Sequence, residues 1–319
     1  MVPLSRPPAA QESAAIRLFL ALSPRLPWVA QPDPPDELRP CEEVAVPRPG
    51  GRGSLAGTWY PVDPVDAARG AVLLLPPWLA WGRSYFHRRG RIQALRAAGY
   101  HVLTLDLPGR SLRSDGFFDR DVEAGLGELR RRAGRLPLHV WGVSAGGYWA
   151  HPVLARTNGV AGAFFEDVAP HLIQWSWRVA PLGRPFYLFF QHVLRSSYRY
   201  LDMRRHAEAF TLRAVTYVGG ASDPGVRPAD TRELATRARG RCHIVDRAGH
   251  LESIKLANQD ILALALETFA RAEEGLSPPP SLTKLRGSSE TVVAGPTSLA
   301  RCHACPESPA VLFSSPSLS

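Results

Sequence analysis

Short apolar runs alternate along this chain with stretches in which apolar residues recur every three or four positions. Residues 71–75, 99–107, 136–141, 214–218 and 241–245 are brief and largely apolar, which predicts buried strands. Residues 91–98 and 122–133 carry helical periodicity instead. Apolar strands alternating with helices need a sheet covered on both faces, so the expected class is α/β with a doubly wound, mostly parallel sheet. The two ends break the pattern. The first forty residues hold nine prolines, and the segment after about Leu276 is rich in Ser and Pro. The expected organisation is a Pro-rich segment over 1–40, one folded domain over 41–275, and a disordered tail over 276–319. Ile16, Phe19, Leu20 and Leu22 could line one side of a short helix that docks on the domain.

One junction between an apolar run and a helix-like stretch reads Gly142-Val143-Ser144-Ala145-Gly146-Gly147. A G-x-S-x-G sequence in strand, turn, helix context matches a nucleophile elbow, in which the glycines leave room for a tight turn and the serine hydroxyl is raised above the sheet. Such a serine needs a base and an orienting acid, following it in the order acid, then histidine. Asp223 lies just beyond the run 214–218, and His250 just beyond 241–245, both where sheet enzymes place their chemistry. His101, His139 and His243 fall within predicted strands, leaving His250 on a loop as the candidate base. Asp223 would hold its ring in the productive tautomer. Asp167, at the end of Phe164-Phe165-Glu166-Asp167, is the rival acid.

With these residues in place, the chain resembles the α/β-hydrolase superfamily over about residues 44–271, with Ser144, Asp223 and His250 on the triad positions. The resemblance extends to residues 71–77 as third strand and oxyanion loop, and to 99–109 as fourth strand and D-x-P-G turn. It implies an α/β-hydrolase-type sheet with a helical cap at about 168–212, an interval holding nine aromatics, including Trp175, Trp177, Phe186, Phe190, Tyr200 and Phe210. An aromatic cap would exclude water and bind an apolar group. The resemblance also implies an oxyanion hole from the Ala145 N–H and a donor after the third strand. There the chain has Pro76-Pro77-Trp78-Leu79 in place of the common His-Gly, so that donor falls to Trp78 or to Leu79, proline having no N–H. Pro152 is a second departure, expected to kink the helix after Ser144 near Tyr148. Asp106 is expected to tie down its own loop.

The implied activity is hydrolysis of carboxylic esters with an apolar acyl or alcohol group, through an acyl-enzyme and without metal or organic cofactor. Lipases, lysophospholipases, thioesterases and cofactor-free perhydrolases use the same triad. A ligand-binding protein of the same fold is the non-enzymatic alternative. A serine at the elbow argues against relatives that place a carboxylate there.

Composition changes this picture little. The formal net charge is +9, with Lys255 and Lys284 the only lysines, and no basic block interleaved with aromatics suggests nucleic-acid binding. No run of 18 apolar residues is present, so the expectation is a cytoplasmic protein without stable membrane insertion. Cys242 is expected to be an inert core residue. Cys302-His303-Ala304-Cys305 has metal-like spacing but lacks a second ligand pair, so no zinc site is expected. Oligomeric state is not legible.

Overall fold

All five apolar runs contain strands. In the computed structural model, which describes residues 33–48, 53–77, 82–107, 118–179 and 195–276 together with Pro185, Leu188 and His192, eight strands form one sheet in the order β1-β2-β4-β3-β5-β6-β7-β8. β3 (Gly70–Leu75), β4 (Tyr100–Leu105), β5 (Leu138–Val143), β6 (Gly162–Glu166), β7 (Ala214–Gly220) and β8 (Arg241–Val245) run parallel. β1 (Glu42–Pro47) and β2 (Ser54–Tyr60) add an antiparallel pair beyond β4.

β3 through β7 are buried at every position because helices cover both faces. α1 (Arg91–Ala97) and α9 (Asn258–Glu273) pack on one face; α2 (Asp119–Ala133), α3 (Ala145–Leu154) and α7 (Pro228–Arg237) pack on the other. The side chains of each strand divide between two core layers, as the period of two requires. Val72, Leu74, Val102, Trp141 and Val143 meet α1 and α9, whereas Leu73, Leu75, Leu103, Leu105 and Val140 meet the opposite helices. Between β6 and β7 lie α4 (Leu172–Val179), α5 (Arg195–Tyr200) and α6 (Met203–Glu208); α8 (Ser253–Leu256) precedes α9.

One reading needs correction. Cys242 does lie in β8, but β8 is the edge strand and the residue is exposed rather than in the core. Ahead of residue 41, Leu38 is fully buried in the layer of Tyr60 and Val72, and its carbonyl accepts from Arg96 Nη1 at 3.0 Å. Residues 16–22, Cys302 and Cys305 lie outside the described residues. Among the described residues no helix is long and apolar enough to cross a membrane, and no group of three or more His, Cys, Asp or Glu side chains could hold a metal ion.

Parallel register fixes where the site forms. Val143 pairs with Glu166, Glu166 with Val218, and Gly220 with Val245. The loops leaving β5, β6, β7 and β8 therefore emerge side by side at the carboxyl edge of the sheet.

Candidate active site

Ser144 occupies the turn between β5 and α3 with φ +47° and ψ −114°, a conformation that a side chain rarely tolerates. Its N–H donates to the Glu166 carbonyl at 2.7 Å, tying the turn to the end of β6. The flanking glycines are required sterically. A Cβ on Gly142 would lie 2.4 Å from Gly147 Cα, and one on Gly146 would lie 2.3 Å from the Leu75 carbonyl oxygen. Strand, helix and the tip of β3 cross too closely for any side chain at these two positions.

Asp223 is buried on the loop after β7. Its Oδ1 accepts N–H bonds from Gly225 at 2.8 Å and Val226 at 2.9 Å, which leaves Oδ2 to meet His250 Nδ1 at 2.6 Å. His250 Nε2 lies 3.0 Å from Ser144 Oγ. An ionised carboxylate only accepts, so Nδ1 carries the proton and Nε2 turns its lone pair toward the serine. Burial opposes charge on both groups. It is outweighed at Asp223 by the His250 contact and the two loop amides, which hold the carboxyl below its usual range. At His250 the hydrogen bond and charge of Asp223, with a smaller contribution from Asp167, raise the ring above the usual imidazole value against its burial.

Asp167 reaches the same site without touching the imidazole. Its backbone sits at φ +51°, and its Oδ2 accepts the Leu251 N–H at 2.9 Å. Burial pushes its carboxyl up to about 7, only partly offset by the charge of His250. The geometry thus brings Asp223, rather than its rival, to the histidine.

Ala145 is the first residue of α3, so its N–H has no partner within the helix and stands beside the serine. Trp78 and Leu79, the two candidates for the second donor, lie outside the described residues. Pro77 is described and lines the cavity. Asp106 accepts the Arg83 N–H at 2.7 Å, so it ties down the segment that begins at Gly82. α3 continues through Pro152 to Leu154.

Ser144 and His250 open into a cavity of about 170 Å³, whose lining includes Tyr148, Trp149, Leu172, Trp175 and Asp167. Tyr148 fastens this wall, its hydroxyl donating to the Leu201 carbonyl at 2.6 Å. α4 rests on the loop that carries Asp223. A Cβ on Gly225 would approach Trp175 Nε1 to 2.5 Å, and Arg178 donates to the Gly225 carbonyl at 3.1 Å while pairing with Asp230. The Trp175 ring centre is 6.3 Å from that of His250. Other aromatics of this interval have different work: Tyr200 donates to Asp119 at 2.7 Å, and Phe210 packs against His151 in the core. Phe186, Tyr187, Phe189 and Phe190 lie outside the described residues. Sequence reasoning missed Arg178 and Tyr148, whose partners are 52 and 53 residues away and leave no local signal.

No family model matches the chain, and no curated protein matches it in sequence. Among solved structures it is similar to the esterase Pf2001 of Pyrococcus furiosus, at 18% identity and TM-score 0.62 over 78% of this chain and 99% of that one. It is also similar to an acylaminoacyl peptidase of Pyrococcus horikoshii, at 14% identity and TM-score 0.57 over 76% of this chain and 44% of the other. TT1662 of Thermus thermophilus follows at 16% identity and TM-score 0.54, over 74% and 99%. At these identities the likeness is one of fold, and that fold is the α/β-hydrolase fold.

Proposed function

We propose that this chain is a serine hydrolase that cleaves carboxylic esters through an acyl-enzyme. The observation that carries the reading is the unbroken hydrogen-bonded line from buried Asp223 through His250 to Ser144, ending at a cavity. Ser144 Oγ attacks the ester carbonyl as His250 Nε2 takes its proton, and Asp223 stabilises the imidazolium without accepting the proton. The Ala145 N–H, with a second donor from Trp78, bears the charge developing on the carbonyl oxygen. Collapse of the tetrahedral adduct expels the alcohol, which leaves with the proton from His250. Water then attacks the acyl-serine, giving its proton to His250, and release of the acid returns that proton to Ser144. The steps use side chains, backbone and water alone.

Apolar walls from Trp149, Leu172 and Trp175 favour a small apolar acyl or alcohol group. The esterase among the similar structures supports the same class. The test pairs labelling by a fluorophosphonate with turnover of a graded series of acyl esters, run beside thioesters and amides. Ser144→Ala is expected to lose labelling entirely and turnover on the order of a million-fold while staying folded. Persistent turnover in the folded variant would assign the nucleophile elsewhere.

A further inference from the structure

Asp167 holds one oxygen that nothing so far uses. The residue is buried, lines the cavity with Ser144 and His250, and commits Oδ2 to the Leu251 N–H. Oδ1 is buried and has no hydrogen-bond partner among the described residues. An orphaned carboxylate oxygen buried beside an apolar-walled cavity is costly. Asp223 illustrates the alternative, with both of its oxygens engaged. Asp167 is not needed to orient the histidine, and the chain holds it there in a left-handed conformation, φ +51°.

We infer that Oδ1 of Asp167 is a substrate-recognition subsite: it accepts a hydrogen bond from a hydroxyl or amine carried close to the scissile carbonyl, so that the preferred substrates are esters bearing such a donor. This rests on the hydrolase reading of the same site and narrows its substrate class. The Ser144 N–H is bonded to the carbonyl of Glu166, the residue next to Asp167, and both Ser144 and Asp167 line the same cavity. The high pKa supports the assignment, because a carboxyl raised by burial to about 7 gains from any donor that reaches it.

Substitution by asparagine makes the idea testable through polarity. Asn tolerates φ near +51°, and the Leu251 N–H needs an oxygen, so Nδ2 would take the place of Oδ1 and turn an acceptor into a donor. The experiment measures kcat/KM for matched esters whose acyl chain carries a hydroxyl at successive carbons, with the methyl ether and the unsubstituted ester at each position, in the wild type and in Asp167→Asn. The wild type should prefer the hydroxyl over the methyl ether by about tenfold or more at one position, as expected for a hydrogen bond to a charged group. In Asp167→Asn that preference should fall to near parity, since hydroxyl and ether both accept. The ratios are taken at one pH well above 7, where Asp167 is ionised and Oδ1 can only accept, and at a single pH they cancel the titration of His250. The wild-type series stands alone if the variant does not fold. Turnover of the series with no hydroxyl preference at any carbon, or an equal preference in Asp167→Asn, overturns the inference and leaves the hydrolase reading intact. No turnover of any ester together with an unlabelled Ser144 overturns both.

Discussion

Ser144 sits in a backbone conformation that costs on the order of 1–3 kcal/mol, sustained because Glu166 fixes its N–H and two glycines let the chain close around it. In the proposed mechanism its chemistry depends on His250 being neutral when it takes the proton. Asp223 raises the ring above the usual imidazole value; protonation therefore sets in at higher pH than for a free histidine. kcat/KM should fall as pH drops through a limb lying above that usual value. Asp223→Asn removes the hydrogen-bonded charge and leaves burial, which disfavours the imidazolium. The residual activity should consequently keep its level to lower pH, besides losing several orders of magnitude in turnover. Asp167→Asn should lose far less, since Asp167 bonds the Leu251 N–H and not the ring. A pH series on the three proteins decides: an acid limb unmoved in Asp223→Asn, or a deeper loss in Asp167→Asn, would place the orienting acid on the loop after β6.

At the scale of elements, helix α4 is joined to the loop that carries Asp223 rather than only laid over it. Trp175 packs on Gly225, and Arg178 bonds the same residue's carbonyl. Trp175 is also a wall of the cavity, so Trp175→Ala should remove apolar surface from the acyl site. Each methylene buried there is worth at most about 0.8 kcal/mol, so the gain in kcat/KM per added acyl carbon should shrink by up to about a factor of four. Acetyl esters should be affected least. A chain-length profile identical to the wild type would make Trp175 a packing residue and put the acyl pocket elsewhere. The sequence made these elements unequally visible. β3 to β7 could be read because burial on both faces writes an unbroken apolar run, and the elbow because its glycines answer a local steric demand. The edge position of β8 could not, since Arg241 to Val245 looks like any short apolar strand until its neighbours are known, and Cys242 was misplaced for that reason. Tyr200 and Phe210 share the aromatic density of the cap interval, yet they serve the core, because density along a chain does not say which way a ring points.

For the whole molecule, exposed arginine pairs such as Arg241 with Glu267 are each worth about 0–1 kcal/mol and are weakened by salt. One pair differs. Arg91 on α1 and Glu166 at the end of β6 are almost wholly buried, with Arg91 Nη2 3.1 Å from Oε1 and Trp141 Nε1 donating to the same oxygen at 2.7 Å. Their separation of 75 residues kept this pair out of reach of sequence reasoning. Its position links stability to function, because the Glu166 backbone carbonyl holds the Ser144 N–H and the next residue is Asp167. Arg91→Met should leave a carboxylate buried with only the indole N–H as partner, and so cost about 3–5 kcal/mol in unfolding free energy by denaturant titration. Adding Glu166→Gln should recover part of that loss, since the uncompensated charge is the larger share of it. Arg241→Ala should stay within about 1 kcal/mol of the wild type. A small loss in Arg91→Met, comparable to that of Arg241→Ala, would mean that water reaches Glu166 and that the pair does not anchor the strand end beneath the active site.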